Sequence, residues 1–369
     1  MSVNTHPPEE IASLSIETRL VLRHFRITEA TPNNARTMQH TNCRNLGITL
    51  AGVLALIGAS AKADTFGSGA NTFTIDFVNI GNAGNGNDLG AGGGFYSSPY
   101  GGVGYDYRMG TTEVAQDWIS KATNLGLTNV TAGPWTGNRP ATDMEWYQAA
   151  SFVNWLNTST GHQPAYNLTF TEIPDLGLRF WTMLLWSSAE AWQADGENRF
   201  RHKDAFYFLP SEDEWYKSAY HKNDGVTANY WDYATGSNTI PIPVGSGTGA
   251  GTAVYGQPFA QGPADVANSG GPSPYGTRGQ SGNAFELLES AADGTNDIVG
   301  ENRVLRSGHW SNSEVQLRST LRIAYNSAGD NVGYRIASAS QPVPEPSTGV
   351  LLLASGCMWL LTRRRRRER

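Results

Sequence analysis

The stretch that decides the fold is RVLRSGHWSNSEVQLRSTLRIAYNSAGDNVGYRIAS, residues 303–338. Apolar and polar residues alternate imperfectly in three parts of it, which runs of Ser, Asn, Gly and Asp separate. This pattern predicts short strands within 303–310, 317–325 and 332–340. The stretch also carries five arginines, of which four are considered as a group, namely Arg306, Arg318, Arg322 and Arg335. Two interpretations of them are open: they clamp an anionic ligand bidentately, or they tie loops to Asp and Glu side chains.

Two stretches upstream have the signals of amphipathic helices. TDMEWYQAASFVNWLN (142–157) begins with Thr142 as a candidate N-cap and has Glu145 three residues later, which is a capping-box pattern. SEDEWYKSAYH (211–221) repeats this pattern with Ser211 and Glu214. We expect the tryptophans of both helices to lie in the core.

A weaker helix is predicted at about 112–121, with Val114 and Trp118 on one side. Most of the remaining sequence consists of short strand patterns and long Gly, Pro and Ser connections, such as 236–279. The Gly/Asn-rich stretch 81–102 lacks the spacing of a phosphate loop or a calcium repeat and is predicted to be a flexible loop. The fold class expected from these patterns is α+β with much irregular structure.

Five blocks in this order resemble the formylglycine-generating enzyme (sulfatase-modifying factor) family over about 230 residues. They are YRMGTTEVAQDWI (107–119), RPATDMEWYQAASFVNWLN (139–157), FYFLPSEDEWYKSAY (206–220), YGTRGQSGNAFELLES (275–290) and the stretch 303–338. The resemblance implies a formylglycine-generating-enzyme fold with a C-type-lectin-like core, here occupying 64–342. It does not follow from the periodicities alone.

The resemblance also implies copper chemistry, for which this chain lacks the residues. Enzymes of the family bind copper through two cysteines in the last block, because soft thiolates retain Cu(I). The corresponding segment here, SGHWSNSEVQLRSTLR, has no cysteine, and the two cysteines of the chain are Cys43 and Cys357, both outside 64–342. His309 alone is a poor copper site, so we expect no copper, no catalytic residue of the family's kind and a structural role for this imidazole.

Calcium is the cofactor that the resemblance leaves open. The family holds this cation at a block that here reads GNAFE, where Gly282 and Ala284 would supply carbonyl oxygens and Glu286 a carboxylate, the ligand type that calcium prefers. A further family ligand, usually Asp or Asn, falls on Gly279, so a side-chain oxygen is missing. The alternative is a turn at Gly282-Asn283 with Glu286 paired to an arginine.

The N-terminal 63 residues are predicted to be an extension and a secretory signal peptide. An apolar stretch of about 14 residues follows Arg44, and the small residues Ala61 and Ala63 predict cleavage before Asp64. The 37 residues before Met38 are unusual for such a signal, so Met1 and Met38 both remain candidate starts. A buried helix is the alternative for the apolar stretch.

The C-terminal segment 343–369 resembles a PEP-CTERM sorting signal of Gram-negative bacteria. Its motif is Val343, Pro344, Glu345, Pro346 and Ser347, followed by a 15-residue apolar segment, 348–362, and an arginine-rich end. The apolar segment is shorter than the roughly 20 residues of a comfortable transmembrane helix. The resemblance implies recognition by an exosortase after transient anchoring in the inner membrane. The alternative is a plain tail anchor.

Charge distribution excludes one class of partner. Residues 64–362 contain 15 Lys and Arg against 28 Asp and Glu, and an acidic body does not fit nucleic acid, whose phosphates need a basic surface. The resemblance to a sorting signal implies the secretion machinery and exosortase as partners during export, and we expect extracellular polysaccharide or protein afterwards. Trp and Tyr residues of the 231–235 and 94–107 loops are candidates for stacking on sugar rings.

Three functions follow from these observations. The favoured one is a non-enzymatic surface or extracellular-matrix protein whose domain has lost the family's catalytic thiols. The second is an enzyme of the same fold with chemistry that needs no cysteine. The third is a purely structural component of the envelope, which would self-associate rather than bind a small ligand.

Overall fold

The computed structural model describes residues 62–90, 99–131, 133–176, 178–325 and 329–340. These residues form three α-helices: α1 Gln116–Asn124, α2 Trp146–Ser159 and α3 Glu212–Tyr220. They also form five short 3-10 helices: Gly69–Asn71, Pro174–Leu176, Phe259–Gln261, Val266–Asn268 and Glu314–Leu317. The predicted mixture of helices, strands and long irregular connections is confirmed.

Fifteen strands lie within the described ranges, most of them short. They are β1 Lys62–Phe66, β2 Phe73–Ile80, β3 Tyr107–Gly110, β4 Asn167–Ile173, β5 Leu178–Leu184, β6 Ala191–Trp192, β7 Asn198–His202, β8 Tyr207–Phe208, β9 Ile242–Val244, β10 Thr252–Val254, β11 Phe285–Ala291, β12 Arg303–Arg306, β13 Ile323–Tyr325, β14 Val332–Gly333 and β15 Ala337–Ala339.

Two sheets organise these strands. The larger has the order β1-β2-β3-β15-β8 and is antiparallel throughout. The second has the order β13-β12-β11-β14, in which only the β11–β14 pair is parallel. The remaining strands form three two-stranded ribbons, β4-β5, β6-β7 and β9-β10. The last strand, β15, inserts between β3 and β8, so the two ends of the domain meet in one sheet.

An aromatic stack joins the larger sheet to the first two helices. Phe73 of β2 stacks on Trp118 of α1, with ring centroids 6.0 Å apart, and on Phe152 and Trp155 of α2 at 6.4 and 6.1 Å. Alternate residues of β2 point inward because side chains of a strand alternate between faces. The prediction that the helix tryptophans pack in the core is confirmed here, and Trp215 of α3 is fully buried.

The helix predicted at 211–221 has the expected capping box. Ser211 Oγ accepts from the Glu214 backbone N–H at 3.2 Å, and Glu214 Oε2 accepts from the Ser211 N–H at 2.6 Å. The predicted start of α2 at Thr142 is wrong. Asp143 has a φ of +56°, which an α-helix does not allow, so the N-cap lies three residues after Thr142, at Glu145, and the helix begins at Trp146.

The helix predicted at about 112–121 is displaced along the chain and spans Gln116–Asn124. Val114 is buried as expected, but it precedes the helix, because its N–H donates to the Tyr334 carbonyl.

The strand predicted at 303–310 ends at Arg306. Ser307 and Gly308 follow with φ values of +91° and +75°, which turn the chain out of the sheet.

Several predictions concern residues outside the described ranges. The sorting motif 343–347, the apolar segment 348–362 and Ala61 lie there, as do residues 91–98 of the Gly/Asn-rich stretch. Ala63 and Asp64 are described and belong to β1. Across the described ranges, no helix has both the length and the apolar character needed to cross a bilayer.

Replacing Gly282 by alanine should destabilise the domain strongly. A Cβ at this position would lie 2.3 Å from the Val254 carbonyl oxygen, and φ is +94°. Gly294 is a matched control, since its φ is also +94° and a Cβ added there would have no heavy atom within 4 Å. We expect Gly282→Ala to lower the free energy of unfolding by about 1–3 kcal/mol more than Gly294→Ala, because overpacking adds to the shared backbone strain. Urea unfolding of both variants measures this difference, and equal losses would contradict it.

Candidate functional site

Buried arginine–carboxylate pairs connect distant parts of the chain. Arg201 of β7 donates from Nη1 to Glu214 Oε1 at 2.9 Å and from Nη2 to Glu289 Oε2 at 2.6 Å, and these three side chains are at most 1 % exposed. Tyr105 donates to Glu214, and Tyr166 donates to Glu289, at 2.6 and 2.8 Å. The pairing with Arg201 holds the pKa of Glu214 below its usual value although burial opposes this. Glu214 is therefore charged, and both acids are hydrogen-bonded.

The arginines of the last block have the same internal role. Arg306 and Arg322 both donate from Nε to Glu212 Oε1, at 2.8 and 3.0 Å. Arg306 also binds two backbone carbonyls of the 319–321 turn through Nη1. Arg318 lies 5.9 Å from the centre of the Tyr233 ring. Of the two interpretations of these residues, the structure supports loop anchoring for Arg306 and Arg322.

Arg335 pairs with Glu286, the candidate calcium ligand. Its Nε and Nη2 donate to the two carboxylate oxygens of Glu286, each at 2.5 Å, and Trp215 Nε1 donates to Oε2 at 2.7 Å. The Gly282 carbonyl accepts from Ser307 Oγ at 3.0 Å, and Ala284 is fully buried. As arranged here, these residues do not fit calcium, which needs several free oxygen atoms. The geometry is that of the alternative, a turn with a paired glutamate, and calcium binding stays a prediction.

Glu113 is a buried carboxyl group that the sequence did not single out. A Cβ on Gly279 would lie 2.4 Å from Glu113 Oε1, so this carboxyl fills the place of the side chain missing at position 279. Asn283 Nδ2 donates to Oε1 at 2.8 Å, whereas Oε2 has no hydrogen-bond partner. Burial, followed by the charge of Glu286, raises the pKa of Glu113 to about 8. It is therefore a neutral acid at pH 7.

The segment without cysteines is packed with large side chains. Leu317 is fully buried against Tyr233, Ala253 and Tyr255, and Trp310 is fully buried in a neighbouring cluster. Burial lowers the pKa of His309 to about 4, and its Nδ1 accepts from the Ser311 N–H at 3.3 Å. This neutral imidazole therefore has a structural contact of the kind predicted for it.

A cavity of about 450 Å³ lies beside the Arg201 network. We call it the acidic cavity, since four carboxylates line it, namely Asp195, Glu197, Asp213 and Asp297. The side chains of Tyr105 and Trp192 also line it, in edge-to-face contact with ring centroids 5.5 Å apart. Arg199 and Arg201 also line the cavity, but Glu214 and Glu289 already neutralise Arg201, so the cavity still has an excess of negative charge from its four carboxylates. Its aromatic and hydrogen-bonding groups suit a polar ligand with an apolar face.

Two of these carboxylates are held in place by backbone amides of one loop. Asp213 Oδ1 accepts from the Gly101 N–H at 2.8 Å, and Asp195 Oδ2 accepts from the Gly104 N–H at 2.6 Å. Burial raises the pKa of Asp213 to about 6. An acid with this pKa in a cavity is able to donate or accept a proton near neutral pH. Sequence patterns did not identify the cavity, because its lining comes from five separate segments.

Most of the described aromatic residues in the two loops predicted to stack on sugars are buried or packed against other side chains. Tyr107 and Tyr233 are buried, and the Lys222 ammonium lies 4.1 Å from the centre of the Trp231 ring. The described part of the 94–107 loop contributes Tyr105 to the acidic cavity instead. In the part of the chain that the structure describes, no group of three or more His, Cys, Asp or Glu side chains is arranged to hold a metal ion.

Comparison with known proteins identifies relatives of this fold. A family model for a sulfatase-modifying factor enzyme 1-like domain matches residues 104–340, and no curated protein matches the chain. Treponema denticola variable protein 1 is 21 % identical with a TM-score of 0.50, over 77 % of this chain and 100 % of that one. This likeness concerns the fold alone, and together with the family model it confirms the predicted fold class.

Two further solved structures are similar at lower identity. The crystal structure of CarF is 18 % identical with a TM-score of 0.44, over 72 % of this chain and 99 % of that one. PvdO from Pseudomonas aeruginosa is 13 % identical with a TM-score of 0.45, over 76 % of this chain and 100 % of that one.

Replacing Arg201 by methionine should destabilise the protein by about 3–5 kcal/mol, because two buried carboxylates lose their cation. Arg179→Met is the control, since Arg179 pairs with Glu172 on the surface and should contribute no more than about 1 kcal/mol. Chemical denaturation followed by tryptophan fluorescence measures both. Similar losses of stability in the two variants would show that the buried network contributes no more than a surface ion pair.

Asp213 should make stability depend on pH. Its folded pKa of about 6 exceeds its ordinary value of 3.8, so the native state binds more protons than the unfolded state between these values. The contribution of Asp213 to the free energy of unfolding is therefore most favourable below about pH 4, and it is lost as the pH rises through 6 and the buried carboxyl ionises. The free energy of unfolding of the wild type, relative to Asp213→Asn, should therefore fall between pH 4 and pH 7. A difference that does not change over this range would contradict the assignment.

Proposed function

The chain belongs to the sulfatase-modifying factor enzyme 1-like family, and from that premise we propose that it is an exported, non-enzymatic binding or structural protein. It is sorted by an exosortase in a Gram-negative bacterium and works at the cell surface or in extracellular polysaccharide. The observation that carries this proposal is the loss of thiols. The domain keeps the family's fold, while residues 64–342 contain no cysteine to bind copper.

The arrangement of β1 supports the proposed cleavage of the signal peptide. Cleavage before Asp64 removes Lys62 and Ala63, which are exposed. It leaves Asp64, whose carboxylate accepts from Arg108 Nη1 and Nη2 at 3.1 and 2.6 Å. Since Arg108 is buried and needs this partner, the mature chain would begin at the first residue of β1 whose side chain forms an ion pair. It would lose the pairing of Lys62 and Ala63 with strand β2.

The acidic cavity is the proposed ligand site, with an oligosaccharide as its ligand. Tyr105 and Trp192 offer aromatic surface, and Asn198 and Asn296 add amides to the carboxylates of the lining. Hydroxyl groups of a sugar bind such carboxylates and amides, and its C–H face suits an aromatic ring. The fold alone would not assign this ligand, so the proposal rests on the chemistry of the cavity.

Asp213 favours a second candidate, an enzyme that uses acid–base chemistry in the same cavity. The raised pKa of this acid suits a general acid, and neighbouring carboxylates would supply a base. This candidate predicts that an oligosaccharide is cleaved rather than only bound. Product analysis after prolonged incubation separates it from the binding function.

The sorting proposal is tested by the intact mass of the protein from the envelope and the culture fluid of its native host. We expect a mature chain that begins at Asp64 and lacks the arginine-rich end, because an exosortase removes the tail after the Pro-Glu-Pro motif. A protein that retains residues 363–369 would show that the tail is an anchor. Stoichiometric copper or iron in the same sample would contradict the proposal that this domain has no redox activity.

The binding proposal is tested with the full-length chain on an array of defined oligosaccharides. The double variant Glu197→Gln/Asp297→Asn should weaken binding at least tenfold, because charge-assisted hydrogen bonds are lost. Both residues are exposed, so folding should be preserved. Asp76→Asn/Asp232→Asn removes the same charge from exposed positions outside the cavity and should bind normally. Equal affinities in the two double variants would eliminate the acidic cavity as the site.

A further inference from the structure

A second depression of about 560 Å³ lies between the β4-β5 ribbon and the start of α2. It is wide and open to solvent, unlike a site that encloses a small ligand. Four aromatic side chains line it, and we call it the aromatic groove: Tyr147, Phe170, Phe180 and Trp181. No motif in the sequence marked it, because β4 and β5 lie outside the five family blocks.

The aromatic rings are held in place by the strand register and remain accessible. Phe170 and Trp181 face each other across β4 and β5, with ring centroids 5.0 Å apart at 63°. Phe170 and Trp181 are only partly buried, whereas Phe180, which is 43 % exposed, precedes Trp181 in the strand and points to the other face of the ribbon. Rings fixed in this way lose little conformational entropy when a ligand covers them.

Polar groups at the helix end of the groove are oriented before any ligand arrives. Gln148 Oε1 accepts from the Glu145 N–H at 3.0 Å as part of the capping box. This bond fixes the amide and leaves Nε2 as a donor. Asp143, also in the lining, is exposed and makes no hydrogen bond or ion pair with another described side chain. Its position is set by its backbone N–H, which donates to the Gly329 carbonyl.

The charge of the groove indicates the class of ligand. Asp143 and Glu145 are its acids, and Arg179 is its base, itself paired with Glu172 at 2.8 Å. The lining therefore has a small negative charge from Asp143 and Glu145, and it offers no cluster of cations for a polyanion. Aromatic faces beside single amide and carboxylate groups instead match a pyranose ring, which has an apolar C–H face and a rim of hydroxyls.

We propose that the aromatic groove binds a linear, uncharged polysaccharide by stacking pyranose rings on Trp181 and Phe170. Gln148 Nε2 and the Asp143 carboxylate bind hydroxyls at the edge of the chain. This inference rests on the proposed function, which places the protein in contact with extracellular polysaccharide. It adds a second site, formed by other elements, that takes an extended polymer where the acidic cavity takes a short oligosaccharide.

Affinity electrophoresis of the full-length chain in gels containing hydroxyethyl cellulose, a soluble neutral polymer, tests this site. The wild type should be retarded, and Trp181→Ala should raise the dissociation constant about tenfold or more, because a stacking surface is lost. Trp231→Ala is the matched control, since Lys222 covers that indole, and it should migrate like the wild type. Trp181→Phe keeps an aromatic ring and should recover most of the binding even if the alanine variant is poorly folded.

Gln148→Glu is a second variant that leaves the fold intact. Glutamate at this helix position also forms a capping box, yet it removes the Nε2 donor, so we expect threefold to tenfold weaker binding. An absence of retardation of the wild type, or binding that neither Trp181→Ala nor Gln148→Glu changes, overturns the inference. Retardation by alginate alone would also overturn it, since that polymer is anionic. A loss of self-association in Trp181→Ala, without a change in retardation, would show instead that the groove is an interface between copies.

The two sites fail independently. If the Glu197→Gln/Asp297→Asn variant loses oligosaccharide binding while Trp181→Ala retains polymer binding, the acidic cavity stands and the groove does not. The reverse pattern supports the groove and removes the cavity.

Discussion

The buried ion pair network centred on Arg201 is the constraint on which the rest of the domain depends. Arg201 in β7 holds one glutamate of α3 and one of β11, so a strand, a helix and a second sheet meet at one guanidinium. Other donors, among them Tyr105 and Tyr166, form hydrogen bonds to the oxygen atoms of these two carboxylates. A cation buried without these acids, or the acids without the cation, would cost several kcal/mol. The three elements must therefore come together in this arrangement.

Such a network is useful in a chain with short strands and long connections. Among the described residues the apolar core has one large cluster and three smaller ones, which by themselves do not determine how the connections run. A buried ion pair adds little net free energy compared with an apolar contact, but a wrong partner is strongly disfavoured. We hypothesise that Arg201, Arg306 and Arg335 specify which loops meet, while burial of aromatic side chains supplies most of the stability.

Sequence patterns correctly predicted those parts of the structure that depend on contacts between residues close in sequence. Ser211 and Glu214 form their capping box because both partners lie within one turn. The same pattern at Thr142 failed, since the positive φ of Asp143 depends on contacts with residue 329, far away in sequence. Glu113 and the acidic cavity could not be predicted from one sequence. Their neighbours lie on separate segments, and only the folded chain brings the Glu113 carboxyl into the space left by Gly279.

The contacts that hold the last block explain how the domain has the family's fold without the family's cysteines. In this domain the last block is held by Arg306 on Glu212, by Arg335 on Glu286 and by the burial of Leu317, and none of these contacts needs a cysteine or a metal. The residues that would hold copper are therefore free to change without loss of the scaffold. Leu317 and Trp310 fill the interior of that segment. The polar and aromatic groups that the interior does not use lie in the acidic cavity and the aromatic groove, where the proposed ligands would bind.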